Sequence, residues 1–128
     1  MLTLNNKLIT AGALLLISII TGIWLSHIGR PLNTMIFTIH KLIALAGAIF
    51  LVIALYNPFK TASDGPVIMI LTALAALFLL TLFVTGGVLS SEKSLPGFVL
   101  LLHKISPAVM ILALSGVIYL LIQKSSAF

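Results

Sequence analysis

The chain has 128 residues, 61% hydrophobic and 7% charged, with seven lysines and arginines against two acids and no cysteine; its mean hydropathy is +1.31. That composition lies outside the range of soluble domains and belongs in a bilayer, while the missing cysteines exclude disulfides, thiolate metal sites and cysteine nucleophiles. The net charge of +5 is no nucleic-acid surface, because the basic residues are scattered at the ends of apolar runs, where membrane flanking accounts for them.

Residues Leu8–Ile28 form the first uncharged run. About 20 helical residues at ~1.5 Å rise cross a ~30 Å hydrocarbon core, so this run is long enough. Lys7 before it suggests a secretory signal, but the run is too long and no small-residue cleavage site follows; it reads as a retained helix. After Gly29-Arg30-Pro31 comes a second run, Leu32–Tyr56, interrupted only by Lys41. The turn formers between Asn57 and Pro66 mark a loop. A third run covers Val67–Ser90 and a fourth Gly97–Gln123, the latter holding Lys104. Unbroken apolar runs exclude a barrel, whose strands alternate. The predicted fold is all-α, an integral membrane four-helix up-down bundle over residues 1–128.

The halves repeat one another. Thr21-Gly22-Ile23-Trp24-Leu25-Ser26 matches Thr85-Gly86-Gly87-Val88-Leu89-Ser90; thirteen residues then lead to His40-Lys41 and twelve to His103-Lys104. Each His-Lys is followed by fourteen residues and a tyrosine, Tyr56 or Tyr119. Leu and Gly matches mean little in apolar helices, but His, Lys and Tyr are rare here. A duplicated helical hairpin explains the pattern, each copy crossing twice, so that the copies are parallel. Helices two and four are then diagonal neighbours in the bundle, with both histidines about 10 Å inside their helix starts at ~1.5 Å per residue.

An ionisable side chain in a membrane span usually faces the bundle interior and is a functional candidate. Two readings of His40 and His103 stand side by side. In one they are interhelical hydrogen-bonding residues, worth up to ~1 kcal/mol each. In the other they are the axial ligands of one haem iron, held from opposite faces. Gly22, Gly47, Gly86, Gly87 and Ala44 are available to line the haem slot, although small residues also serve close helix packing. Lys41, Lys104 and Arg30 are candidates for the haem propionates, with snorkelling to headgroups as the alternative for the lysines. His27 reads as interfacial, with a proton relay or alternative ligand as the other reading; Trp24, Tyr56 and Tyr119 read as interfacial anchors, with a quinone contact as the alternative; Met35, Met69 and Met110 could ligate iron but read as packing. The only acids, Asp64 and Glu92, fall in loops, so there is no intramembrane carboxylate to drive proton-coupled export. Two histidines without a third ligand make a poor zinc catalyst.

From Leu25-Ser26 through Pro31-Leu32 to His40-Lys41, and again around His103, the chain resembles one half of the haem A synthase-like membrane proteins and, more broadly, the four-helix b-type membrane cytochromes. The resemblance covers most of the chain. It implies ligand histidines on helices two and four, which by position are His40 and His103, with one haem b as cofactor. The family's catalytic half carries a glutamate three residues before its histidine, where this chain has Phe37 and Leu100, and the family's loop cysteines are missing; this speaks against haem modification. The expected function is one-electron transfer by a b-type haem protein, with lipid and either a quinone or a redox protein as partners, in the cytoplasmic membrane of a prokaryote. The alternatives are a cofactor-free structural or assembly subunit and a haem or quinone carrier without redox role. With the buried-edge Lys41 and Lys104 discounted, Lys7, Lys60 and Lys124 against Arg30 and Lys93 favour the N-terminus inside only slightly, three to two.

Overall fold

A computed structural model describes residues 3–29, 33–62, 65–91 and 96–126 of the chain. These residues are all-α, in four helices: α1 (Leu4–Ile28), α2 (Thr34–Ala62), α3 (Pro66–Leu89) and α4 (Gly97–Ser126). Each is long and apolar enough to cross a membrane, which makes this a multi-pass integral membrane protein.

The helix ends follow local chemistry. The Thr3 hydroxyl accepts from the Asn6 N–H at the start of α1, and Asn33 Oδ1 accepts from the N–H groups of Met35 and Ile36 at the start of α2, each satisfying donors the first turn leaves over. Gly29 ends α1 with φ +74°, a conformation that favours glycine, and its N–H returns to the Leu25 carbonyl. Pro66 opens α3, where its missing N–H costs nothing.

One boundary differs from the sequence expectation. The stretch from Asn57 expected to be a loop instead continues α2 through Pro58 to Ala62. Hydropathy locates where a chain leaves the hydrocarbon, not where its helix stops. Pro58 withholds only the bond its N–H would make to the Ala54 carbonyl, and the last turns of a helix tolerate that loss in water better than in lipid.

Two compact units divide the chain, Met1–Asn57 and Pro58–Phe128. The first is a hairpin of α1 with most of α2. Gly47 of α2 lies so close to α1 that a Cβ there would come within 3.1 Å of Leu15 Cδ2. Ala11, Ser18 and Leu25 of α1 are buried, one every seven residues, the spacing that keeps one seam of a helix against a neighbour. The second unit contains α3 and α4, where Leu71 covers Gly116. Buried positions of α4 recur every three or four residues at Ser106, Met110, Ala113, Val117 and Leu121. Many of these positions are small, as expected where lipid supplies no hydrophobic drive and helices must gain contact by approaching closely. Large apolar side chains such as Ile9, Leu112 and Ile70 are instead exposed, as suits a lipid-facing surface.

Several hydroxyls in the helices bond back to a carbonyl one turn earlier, as Thr81 does to Leu77, Ser106 to Leu102 and Ser115 to Ile111. Thr72 is different: its Oγ1 is buried and has no hydrogen-bond partner. An unsatisfied buried hydroxyl costs about 1–3 kcal/mol. Thr72→Val, which keeps the shape and removes the polar atom, is therefore expected to stabilise the second hairpin by about 1 kcal/mol, read as a higher denaturant midpoint in detergent.

Candidate functional site

His40 and His103 occupy the same place in their helices, each the seventh residue, of α2 and α4 respectively. Both side chains are half-buried. Each ring is held by the preceding helix of its own hairpin, and in nearly the same way.

In the first hairpin, His40 Nδ1 lies 2.9 Å from the Ser18 carbonyl oxygen and 3.1 Å from Thr21 Oγ1. Thr21 directs its own hydroxyl hydrogen back along α1, with the carbonyls of Ile17 at 3.0 Å and Ser18 at 2.9 Å. The next residue, Gly22, forms the floor under the ring: a Cβ there would stand 3.1 Å from His40 Cε1.

In the second hairpin, His103 Nδ1 lies 2.8 Å from Thr85 Oγ1, and the Thr85 hydroxyl donates to the Thr81 carbonyl at 2.6 Å. Gly86 is again the floor, with a Cβ there standing 3.2 Å from His103 Cε1. Thus the Thr-Gly dipeptide of each repeat meets two adjacent ring atoms, the threonine taking Nδ1 and the glycine leaving room beside Cε1. Adjacent helical residues point ~100° apart, so one dipeptide can bracket a ring from two directions. The neighbouring Gly87 has nothing within 4 Å of where its Cβ would be and takes no part.

The remaining predicted site residues fall elsewhere. Gly47 packs α2 against Leu14 and Leu15 of α1, on the helix that also carries His40. Lys41 is exposed, its Nζ 4.5 Å from the centre of the Phe37 ring on the preceding turn, a cation–π contact. Lys104 is exposed. Arg30 lies outside the described residues, as do Asp64, Glu92 and Lys93. His27 is exposed in the last turn of α1. Trp24, Tyr56 and Tyr119 are exposed, and the Tyr119 hydroxyl accepts from Gln123 Nε2. Met110 is buried in α4, whereas Met35 and Met69 are exposed.

Sequence reading named Gly22 and Gly86 but passed over Thr21, Thr85 and Ser18 as site residues. The repeated Thr-Gly, standing 19 and 18 residues before the two histidines, was the available signal for the threonines. Ser18 carried none, because it acts through its backbone carbonyl.

Chemically, an imidazole anchored through Nδ1 is oriented to use Nε2, the arrangement by which a second acceptor fixes the tautomer of a metal-ligating histidine. The described residues contain no group of three or more histidines or acids able to hold a metal by themselves. Neither a family model, nor a curated protein, nor a solved structure matches the chain.

Proposed function

We propose that the chain is a b-type haem protein of a prokaryotic cytoplasmic membrane, with His40 and His103 as the two axial ligands of one haem. The observation that carries this reading is the duplicated seat: in each hairpin a threonine meets the imidazole at Nδ1 and the next residue, a glycine, leaves room beside Cε1. Anchoring of that kind restrains the ring and raises its basicity as a ligand. Haem asks for two axial side chains and little else, which suits a chain so poor in other ligating groups; the resemblance to haem A synthase halves points the same way.

When bound, haem would supply a one-electron couple, whose potential the protein tunes by ligation and burial. This chain's part is to hold two imidazoles, to exclude water with apolar helices, and to offer Lys41 and Lys104, each next to a ligand, to the propionates. The proposed role is transfer of single electrons between a membrane quinol or reductase and an acceptor.

A second reading has its own support. The same Nδ1 bonds staple α1 to α2 and α3 to α4, as they would in a cofactor-free assembly subunit. Purification in mild detergent followed by haem titration separates the two. One equivalent of haem bound per chain, with the low-spin reduced-minus-oxidised spectrum of a bis-imidazole b-type centre, is the expected result. A colourless protein that leaves added haem free would overturn it.

A further inference from the structure

The geometry points to the Ser18 carbonyl at His40 and to Thr85, as a positioning residue, at His103 as the groups that fix both histidines in the Nδ1–H tautomer and so direct Nε2 toward coordination. A carbonyl oxygen only accepts, so at 2.9 Å from Ser18 O the His40 Nδ1 must be the donor. The Thr21 hydroxyl sends its hydrogen to the carbonyls of its own helix, so toward His40 it presents a lone pair.

At His103 the threonine decides the matter. The Thr85 hydroxyl hydrogen is committed to the Thr81 carbonyl at 2.6 Å, leaving the oxygen to accept from His103 Nδ1 at 2.8 Å. With the proton on Nδ1, the lone pair of each neutral ring sits on Nε2. The back-bond that usually makes threonine an indifferent helix residue here has a use, since it turns an ambiguous hydroxyl into a dedicated acceptor.

The two positions differ in one respect that the experiment can read. At His40 a backbone carbonyl survives any side-chain substitution. At His103 the threonine hydroxyl is the acceptor that a substitution removes. Loss of Thr85 is thus expected to matter more than loss of Thr21.

The assignment of iron as the Nε2 partner rests on the proposed haem function; the tautomer does not, and the test keeps the two apart. The full-length protein, labelled with ¹⁵N-histidine and purified without haem, is examined by NMR at a pH well above the ordinary histidine pKa of about 6.5, with His27→Gln to remove the third ring. His40 and His103 are expected to show a one-bond N–H coupling at Nδ1 and a pyridine-type Nε2. Thr85→Val should move His103 toward the Nε2–H form, Thr85→Ser should restore it, and Thr21→Val should leave His40 largely unchanged. With haem added, Thr85→Val should bind about 10–100-fold more weakly, the usual penalty for losing the partner that orients a ligand, and Thr85→Ser should recover most of the loss. An Nε2–H signal at both rings in the unsubstituted protein, or a His103 tautomer indifferent to Thr85→Val, would overturn the proposal. Correct tautomers with no haem uptake would leave it standing and refute the haem function instead.

Discussion

Replacing either His40 or His103 with alanine is expected to abolish low-spin haem binding while leaving the protein inserted and helical. The two effects separate because they depend on different energies. What the fold loses is a hydrogen bond inside one hairpin, to Thr21 and Ser18 or to Thr85. In membrane proteins such bonds average ~0.6 kcal/mol and seldom exceed ~1.7, too little to unfold a hairpin whose helices are stable in lipid on their own. The acceptors left behind are also provided for: the threonine hydroxyls keep their bonds to carbonyls of their own helices. The haem loses far more, since an iron with one of its two axial imidazoles removed no longer has the ligand field that keeps it low-spin. Spectra of the haem-titrated variants, compared with their helicity by circular dichroism, check this. Equal and small effects of both substitutions, with the haem spectrum unchanged, would show that the rings are staples and nothing more.

The second large effect is expected from filling the glycine floors. Gly22→Val and Gly86→Val should each eject the imidazole from its seat and destabilise the hairpin by about 1–3 kcal/mol, the usual cost of overpacking. A Cβ alone would already stand 3.1 Å and 3.2 Å from the Cε1 atoms, and the methyl groups of valine reach further. Each ring is tied at Nδ1, the atom next to Cε1, so it cannot retreat without stretching the bond to its threonine. Alanine at these positions should act in the same direction but less. Gly87→Ala is the internal control. It sits one residue from Gly86 and faces open space, so it should be neutral or slightly stabilising, by up to about 1 kcal/mol from helix propensity. Denaturant midpoints together with the histidine ¹⁵N signals distinguish the outcomes. Val variants whose ring signals match those of the unsubstituted protein would mean that the glycines serve helix packing only.

Much of the architecture was legible in the residues alone. Four apolar runs correspond to α1 through α4, with ends shifted by a few residues, because transfer into lipid is a property summed along the chain and needs no knowledge of partners. Where the reading failed, at Asn57–Ala62, the helix persisted past the apolar run; polar residues end a span without ending a helix. The duplication was likewise visible, because His, Lys and Tyr are scarce enough for their spacing to mean something. The functional use of the repeat was only half visible. Gly22 and Gly86 were singled out as a lining for a cofactor, and the structure places them against the histidine rings themselves. Gly47, read the same way, packs on Leu14 and Leu15.

By itself, then, the sequence determined that this is a four-span membrane protein with two equivalent histidines set in duplicated hairpins. Hydropathy, rarity and spacing are all properties of a line of residues. Only the tertiary structure decided which atoms hold those histidines: a hydroxyl whose hydrogen is spent on its own helix, a backbone carbonyl with no sequence signature, and one glycine of a Gly-Gly pair but not the other. Those choices depend on the register of two antiparallel helices and on the rotamer of each ring, where a residue's shift of one position turns it ~100° around the helix and from contact into open space.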